Sequence, residues 1–341
     1  MIDTAAAAGS DPTRDAESPS SEGHSEKPST RPTPPPVGSV LDLIGATPML
    51  ELRRFEPEGR AQLFAKIEWL TPGGSVKDRT GLGLVLWAEE RGLLKPGGTL
   101  IEPTAGNTGI GVALVGAQRG YKVILCVPEG YAIEKVKLME ALGATVVRTP
   151  KDDGIKGAIA RSQEIAAEIP GSYIPQQFQC AGNPQIHETT TGPEIWSQLD
   201  GRVAAAVIGV GSGGTFTGVA RYLKRQDPSI HCVAVETNGS VLQGGEPGPH
   251  EVEGIGTSFI PDVLDMDLID EIIMVQDDDS FATAKQLACT EGLLVAGSSG
   301  GNVNAALQVA RRLGPGKRVV TILCDSAERY LSKGRLGGPP Q

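Results

Sequence analysis

Short apolar runs alternate with helix-patterned segments along most of the chain. The runs that predict strands lie at 99–102, 122–127, 145–148, 204–209, 232–236 and 319–324. Segments with helical spacing lie at 110–119, 132–142, 155–168 and 215–224. Strands separated by helices of roughly 10 to 15 residues are typical of βαβ units with parallel sheets. Two such series, separated near residues 170–200, predict two α/β domains with a cleft between them.

The first 37 residues break this alternation. They are rich in serine, threonine, proline and acidic residues and contain almost no large apolar side chains. Such a segment cannot bury enough surface to offset the entropy that it would lose on ordering. We therefore expect residues 1–37 to form a disordered tail.

Charge and composition narrow the function classes. The chain has 41 acidic and 31 basic residues, a formal charge of −10, and no basic run, which argues against a nucleic-acid partner. No apolar stretch reaches the roughly 18 residues of a membrane span, and the N-terminus does not resemble a signal peptide. No CxxC pair is present among the cysteines, which are Cys126, Cys180, Cys232, Cys289 and Cys324. We expect a cytoplasmic protein with buried, reduced thiols and without a membrane or metal site.

A glycine-rich loop at 209–214 follows a predicted strand and opens a predicted helix. Gly209, Gly211 and Gly214 fit the GxGxxG pattern, and Glu236 ends the next predicted strand. This combination is typical of a dinucleotide site in which the acid binds a ribose hydroxyl. Backbone amides at the start of a helix also bind any other phosphate. Both interpretations stay open, beside an ordinary turn without a ligand.

A lysine follows the glycine pair Gly73-Gly74, where a helix is expected to begin. Positive charge is disfavoured at the N-terminus of a helix. Lys77 could therefore have a lowered pKa and react as a nucleophile with an aldehyde. The alternative is an ordinary surface lysine.

Two further glycine turns, at 103–109 and 297–301, also precede helical patterns. The amides and hydroxyls of the first turn could hold a carboxylate. The alternative for both turns is simple capping of the helix by a threonine, asparagine or serine side chain.

Taken together, these elements resemble one enzyme family. The segments are SVKDR, PTAGNTG, QQF, GSGGT, EGIGTSFIP, SSGG and DSAERYLSK. They resemble the pyridoxal-phosphate enzymes of the cysteine synthase and cystathionine β-synthase family, with the strongest likeness to bacterial members that use O-acetylserine. The resemblance extends from about Val40 to Lys333.

The resemblance implies fold type II, which is the tryptophan synthase β-like fold. This fold has two three-layer α/β domains with mostly parallel sheets, and pyridoxal 5′-phosphate (PLP) lies in the cleft between them. The larger, cofactor-anchoring domain would comprise residues 38–80 and 183–335, and the smaller, substrate-loop domain residues 81–182. Part of 49–70 could pack with the smaller domain instead, and residues 336–341 would form a C-terminal tail.

The resemblance also implies a role for individual residues. Lys77 would bind the cofactor as a Schiff base and, once displaced by substrate, would remove the Cα proton. Asn107 would contact the 3′-oxygen of the cofactor, and Ser298, rather than Ser299, would face the pyridine nitrogen. The cofactor phosphate would lie against Gly211, Ser212, Gly213, Gly214 and Thr215. The substrate carboxylate would bind to Thr104, Gly106, Thr108 and Gln177.

The implied reaction is a β-replacement on an activated L-serine, with O-acetyl-L-serine as the expected donor. The leaving group departs, an aminoacrylate intermediate forms, and sulfide or homocysteine adds to give L-cysteine or L-cystathionine. Thr257 and Gln176 stand where eukaryotic cystathionine synthases have a tyrosine and an acid, and this argues against free serine as the donor. Ala105 replaces the serine that is usual in the family's asparagine loop.

Three alternatives stay open. A serine or threonine dehydratase shares the fold, although EGIGTSFIP and DSAERYLSK favour the synthases. A nicotinamide-dependent oxidoreductase could use the Gly209 loop, but it leaves SVKDR and PTAGNTG unexplained. A degenerate relative that only binds a partner is disfavoured by Lys77 and Asn107. The resemblance further implies a homodimer and serine acetyltransferase as a possible partner, and we interpret His187 as structural.

Overall fold

The structure is a computed structural model that describes residues 35–55, 58–104 and 106–335. The described residues from Val37 onward belong to one compact unit. The tails that the sequence predicts at 1–37 and 336–341 lie outside the described residues, except for residues 35–37, and Ala105 lies outside them as well.

The larger of the two sheets has six strands. They are β1 (Met49–Glu51), β2 (Gln62–Ile67), β6 (Ala205–Gly209), β7 (His231–Thr237), β8 (Glu271–Val275) and β9 (Arg318–Leu323). Their order across the sheet is β1-β2-β9-β6-β7-β8. Neighbouring strands are parallel, except that β1 runs antiparallel to β2. The segment 49–67 therefore pairs with the last strand of the chain.

The smaller sheet has three parallel strands in the order β3-β4-β5. They are β3 (Thr99–Pro103), β4 (Lys122–Pro128) and β5 (Thr145–Thr149).

Helices connect these strands and cover both sheets. The α-helices are α1 (Lys77–Glu90), α2 (Asn107–Arg119), α3 (Ile133–Ala141), α4 (Gly154–Glu168), α5 (Gly182–Ile186), α6 (Gly192–Gln198), α7 (Gly214–Gln226), α8 (Asp277–Glu291) and α9 (Gly297–Leu313). A π-helical turn, His187–Thr191, joins α5 to α6.

Each sheet is the middle layer of three. Along β7, Val233 and Val235 belong to one buried apolar cluster, whereas Cys232 and Ala234 belong to another. Along β4, Leu125 belongs to one buried apolar cluster and the next residue, Cys126, belongs to another. Successive strand residues point to opposite faces, so each sheet is covered on both sides. Parallel strands buried on both faces are nearly continuously apolar, which explains why the sequence shows them as unbroken runs.

The fold class that the sequence predicts is confirmed. Every predicted strand and helix occurs within a few residues of its expected position. One prediction is wrong: residues 297–301 are not a loop before a helix but the first turn of α9. Glycine serves close packing there, because a Cβ on Gly300 would lie 2.0 Å from the carbonyl oxygen of Ser280 in α8. The expectation of buried thiols is also wrong for Cys289, which is exposed, and Cys324 is only partly buried.

The carboxyl ends of the parallel strands bring the polar motifs together. Strand β3 leads into the PTAGNTG turn, β6 into the Gly209 loop, and β9 into the DSAERYLSK segment. Ser75 pairs with Asp325, and Val295 with Ser326, in isolated bridges beyond the strand ends. Ligands of α/β sheets bind at this edge. Within the described residues, no helix is long and apolar enough to cross a membrane.

Candidate active site

Lys77 is the first residue of helix α1, as the sequence predicts. The amide of the preceding Val76 donates to the carbonyl of Cys324 at 2.9 Å, so the end of β9 fixes where the helix begins. Desolvation lowers the pKa of the Lys77 amine, and Cys324 and Asp325 offset this only in part. Burial and the helix N-terminus both favour the neutral amine, which is the reactive form.

The glycine loop connects β6 to α7. Gly213 has a φ of +88°, in the left-handed region, and α7 starts at Gly214 without a side-chain cap. A Cβ on Gly214 would lie 2.0 Å from Oδ1 of Asn183, so a larger residue does not fit there. The first amides of a helix have no intrahelical partner and lie at its positive end. The loop therefore offers a site for an anion such as phosphate.

Ser298 and Ser299 lie in the first turn of α9, and both are buried. Neither caps the helix, so capping does not explain them. The Ser299 hydroxyl accepts the amide of Cys324 at 2.8 Å, whereas Ser298 hydrogen-bonds the Cys324 thiol. Burial raises the pKa of that thiol to about 12, so it stays neutral beside Lys77. Ser299 is thus committed to the backbone, and Ser298 is the hydroxyl that can turn to a ligand.

Asn107 opens helix α2, and both ends of its side-chain amide are held. Its Nδ2 donates to Oδ2 of Asp325 at 2.6 Å, and its Oδ1 accepts from Arg329 at 3.0 Å. Arg329 also donates to the carbonyl of Gly73, in the glycine pair before the lysine. Tyr330 donates to the same Asp325 oxygen at 2.5 Å. The DSAERYLSK segment therefore ties the PTAGNTG turn to the SVKDR segment.

The four residues expected to bind the substrate carboxylate, which we call the clamp, lie on two adjacent segments. The Thr108 hydroxyl donates to Oε1 of Gln177 at 2.7 Å, and both side chains are buried. This orients the Gln177 amide, whose nitrogen has no hydrogen bond to any described residue. Thr104 plays a different part: its hydroxyl oxygen accepts the amides of Gly106 and Gly109, each at 3.1 Å. Thr104 thus fixes the conformation of the PTAGNTG turn.

Sequence reasoning missed Glu102, which supports the clamp through the backbone of its Gln177 segment. Its carboxylate accepts the amides of Gln176 at 2.9 Å and Gln177 at 3.1 Å, and the residue is fully buried. Desolvation raises its pKa to about 8, against the effect of those two hydrogen bonds. Gln176 has a φ of 55°, which is uncommon for a residue other than glycine. The carboxylate holds the backbone in this unusual turn.

Asn183 and His187, on the segment after QQF, were also missed as site residues. The Asn183 amide donates to the carbonyl of Gln177 and to the Ser212 hydroxyl. The His187 ring lies between the hydroxyls of Thr191 and Thr215, at 2.9 and 3.2 Å. Burial holds the pKa of His187 well below its usual range, so it is neutral. A structural role for His187 agrees with these contacts, but the structure it supports is the glycine loop.

Behind Lys77 lies a network of four charged side chains, the ion-paired cluster, which consists of Lys66, Glu68, Arg79 and Glu194. Arg79 pairs with Glu68 and with Glu194, both at 2.7 Å, and Lys66 pairs with Glu194 at 2.8 Å. The Lys66, Glu68 and Arg79 side chains are at most 1% exposed. The cluster joins β2, α1 and α6, and so fixes the helix that carries the lysine.

Glu236 is placed at the end of β7, where a dinucleotide-binding acid would be, but it faces the protein interior. The residue is fully buried, and one carboxylate oxygen accepts the amide of Leu242 at 3.0 Å. An acid that binds a ribose hydroxyl would have to be exposed to the ligand, and Glu236 is not. Nor do the described residues contain a group of three or more histidine, cysteine, aspartate or glutamate side chains that could hold a metal ion.

The model of one family, described as pyridoxal-phosphate-dependent enzymes, matches residues 40–325. The chain belongs to this family. Among curated proteins, the O-acetylserine-dependent cystathionine β-synthase of Bacillus subtilis (strain 168) is 47% identical over 298 residues, which cover 87% of this chain and 97% of that protein. A cysteine synthase of Staphylococcus aureus (strain Mu50) is 45% identical, covering 87% and 96%.

Two solved structures of enzymes have the same fold. The O-acetylserine-dependent cystathionine β-synthase of Helicobacter pylori superimposes with a TM-score of 0.84 at 46% identity, covering 88% of this chain and 99% of that one. An O-ureido-L-serine synthase superimposes with a TM-score of 0.84 at 39% identity, covering 87% and 94%.

The donor set of the site fits PLP. The cofactor carries a phosphate, an aldehyde and a ring nitrogen. The described residues offer an anion loop at the start of α7, the amine of Lys77 and the hydroxyl of Ser298 at one edge of the fold. Oδ1 of Asp325, next to the Asn107 contact, is buried and has no hydrogen-bond partner among the residues that the structure describes. A buried polar atom left unpaired costs free energy, and a hydrogen-bond donor bound beside Asn107 would relieve that cost.

Proposed function

We propose that this PLP-dependent enzyme catalyses β-replacement on O-acetyl-L-serine, with sulfide or homocysteine as the acceptor. The observation that carries the proposal is the low-pKa amine of Lys77 at the same strand edge as a phosphate loop and a separate clamp for a carboxylate. High identity to a cysteine synthase and to an O-acetylserine-dependent cystathionine β-synthase supports the choice of donor.

The chain's own residues would hold the cofactor at four points. Lys77 binds its aldehyde carbon, and Asn107 binds its 3′-oxygen in the orientation that Asp325 and Arg329 impose. Ser298 faces the ring nitrogen as a neutral donor or acceptor. Gly211, Ser212, Gly213, Gly214 and Thr215 hold the phosphate with backbone amides and hydroxyls. When bound, the cofactor supplies the electron sink for cleavage at Cα.

The clamp and the lysine would then act on the substrate. The amide nitrogen of Gln177 donates to the substrate carboxylate, in the orientation that the Thr108 hydroxyl imposes. Thr104 holds the amides of Gly106 and Gly109 and so keeps the loop in shape around the carboxylate. The neutral amine of Lys77 would accept the Cα proton, because desolvation favours its neutral form. The bond from Cβ to the acetate oxygen breaks and acetate leaves. A bond from Cβ to the acceptor sulfur then forms, and Lys77 returns the proton to Cα.

Product analysis tests this proposal. Purified enzyme should be given O-acetylserine or serine, each with sulfide or with homocysteine, and the products identified by mass spectrometry. We expect acetate release with formation of cysteine or cystathionine from O-acetylserine, and loss of both in Lys77→Ala. A preference for free serine would overturn the donor, and pyruvate and ammonia without acceptor would indicate a dehydratase. Reduction of a nicotinamide would require the Gly209 loop to be reinterpreted.

The remaining assignments rest on the family resemblance. We propose that residues 38–80 and 183–335 form the cofactor-anchoring domain and that 81–182 form the substrate-loop domain, which accords with the two separate sheets. We also propose a cytoplasmic homodimer with serine acetyltransferase as a partner. Sedimentation of the enzyme alone and with that acetyltransferase would test both associations.

A further inference from the structure

Helix α5 and the π-helical turn after it form a segment, 182–191, that is wedged between two functional helices. A Cβ on Gly83 of α1 would lie 2.4 Å from the carbonyl oxygen of Gly182. A Cβ on Gly218 of α7 would lie 2.2 Å from the carbonyl oxygen of Pro184. Helix α1 carries Lys77 at its start, and α7 begins in the phosphate loop. The segment 182–191, which we call the wedge, therefore packs against both helices so closely that neither helix can shift against it.

Asn183, in this wedge, is fully buried and has every polar atom of its side chain engaged. Its Nδ2 donates to the carbonyl oxygen of Gln177 at 2.8 Å and to the hydroxyl of Ser212 at 3.0 Å. Its Oδ1 accepts from the hydroxyl of Thr80, on α1, at 3.2 Å. One amide thus connects the clamp, the phosphate loop and the lysine helix.

We propose that Asn183 is a positioning residue that couples occupancy of the phosphate loop to the geometry of the substrate-carboxylate clamp. The coupling uses the two hydrogen atoms of one planar amide group, so the orientation that serves Ser212 also sets the position of the Gln177 backbone. The inference rests on the proposed function, because that function assigns Ser212 to the cofactor phosphate and Gln177 to the substrate.

The direction of the coupling follows from the chemistry of the amide. A phosphate in the loop attracts the hydroxyl hydrogen of Ser212, which turns the hydroxyl lone pairs toward Nδ2 of Asn183. This holds the side-chain amide of Asn183 in place and, through it, the backbone carbonyl of Gln177. The side chain of Gln177 is already fixed by Thr108. Linkage is reciprocal, so a correctly set clamp also favours the loop that binds phosphate. Buried hydrogen-bond networks of this kind are not additive when their members are removed.

Two measured constants, one of binding and one of kinetics, distinguish coupling from simple structural support. The first is the dissociation constant of PLP, measured by titrating apoenzyme and following fluorescence. The second is the KM for O-acetylserine of the PLP-saturated enzyme. Ser212→Ala should raise the dissociation constant of PLP most and the KM for O-acetylserine by a smaller factor, because it removes the partner that orients Asn183. Thr108→Val, which leaves the hydrogen bonds of Asn183 intact, should raise mainly the KM. Asn183→Ala should raise both by about tenfold, as expected for one hydrogen bond that helps to hold a charged ligand.

Two further comparisons sharpen the test. The double variant Asn183→Ala with Ser212→Ala should bind PLP no more than about twofold more weakly than Asn183→Ala alone, because the two residues act as a pair. Thr321→Val is the matched control: Thr321 is fully buried and its hydroxyl donates to the Val207 carbonyl at 2.8 Å in the sheet. Thr321→Val should lower the free energy of unfolding but leave the dissociation constant of PLP and the KM for O-acetylserine unchanged. If Asn183→Ala does not fold, Thr80→Val removes the donor that orients the amide and should raise both constants by a smaller factor.

The outcomes separate the two hypotheses. If wild-type enzyme binds PLP and consumes O-acetylserine, but Asn183→Ala and Thr80→Val change only one constant or neither, the coupling is wrong and the proposed function stands. If the wild-type enzyme itself fails to bind PLP or to use O-acetylserine, the proposed function is wrong.

Discussion

The ion-paired cluster behind Lys77 and the carboxylate of Glu102 bury acidic groups in opposite ways. Glu68 and Glu194 are paired with Arg79, and Glu194 also with Lys66. Glu102 receives two backbone amides, and no ion pair joins it to any residue that the structure describes. Charge compensation is complete in the first region and absent in the second.

The difference appears in the pKa values. Burial alone would raise the pKa of Glu194, but Arg79 and Lys66 outweigh it and lower the value to about 2. Burial prevails at Glu102, whose pKa rises to about 8. The lysine helix is therefore anchored by Arg79 and Glu194, whose pKa shifts keep both side chains charged over the neutral range. The backbone of the clamp is instead held by Glu102, whose raised pKa lies near neutral pH. We therefore expect the clamp to be the pH-sensitive part of the site.

The largest expected effect comes from breaking the ion-paired cluster. Arg79→Met keeps the apolar stem but leaves Glu68 buried without a cation, which should destabilise the fold by about 3–5 kcal/mol. Urea unfolding measures this directly. Arg221→Met is the matched control, because Arg221 pairs with Asp265 at 3.0 Å on the surface and should cost about 0–1 kcal/mol. Equal losses in the two variants would contradict the difference that we draw between buried and exposed pairs.

Glu194→Gln tests the same cluster through pH. A carboxyl whose pKa is lowered on folding stabilises the fold above its unfolded pKa and loses that contribution as the pH falls through its folded pKa. The variant should therefore be less stable than wild type by on the order of 2 kcal/mol near neutral pH. The difference in the free energy of unfolding should narrow as the pH falls below 4.5, the usual pKa of a glutamate, toward about 2. Urea unfolding midpoints of both proteins, measured across this pH range, would show the change. A stability difference that does not depend on pH would count against the pairing of Glu194 with Arg79 and Lys66.

Glu102→Gln should show the opposite sign. A carboxyl whose pKa is raised on folding contributes stability below its unfolded pKa, and that stability is lost as the pH rises through the folded pKa. Between pH 4.5, the usual pKa of a glutamate, and about 8, the free energy of unfolding of the variant should rise relative to wild type by up to about 1.4 kcal/mol per pH unit. Glu102→Asp, which keeps a carboxyl, should remain pH-dependent. Parallel stability curves for wild type and Glu102→Gln would mean that Glu102 does not titrate in this window.

Most of the fold and the chemistry of the motifs could be predicted from the sequence. Buried parallel strands appear as apolar runs, and Lys77, Asn107 and the glycine loop stand in short segments whose spacing is characteristic. Helix α8 was missed because its first residues are the acidic run Asp277 to Asp279, and its pattern carries no motif.

The residues that organise the site could not be predicted in the same way. Glu102 reads as the polar end of a strand, and only the fold brings Gln176 and Gln177 against it. Asn183 precedes a proline in a stretch without a chemical signature, and its three partners come from α1, from the QQF segment and from the loop before α7. Such contacts depend on tertiary packing, which local patterns do not encode.

Chemical trapping of the cofactor tests the central claim most directly. Enzyme loaded with PLP is reduced with borohydride, digested, and its peptides are mapped by mass spectrometry. We expect the cofactor to be fixed to the peptide that contains Lys77. The label should disappear in Lys77→Ala, whereas Lys66→Met, in the ion-paired cluster, should retain it. A label on another lysine, or no label on an enzyme that still converts O-acetylserine, would contradict the role of Lys77.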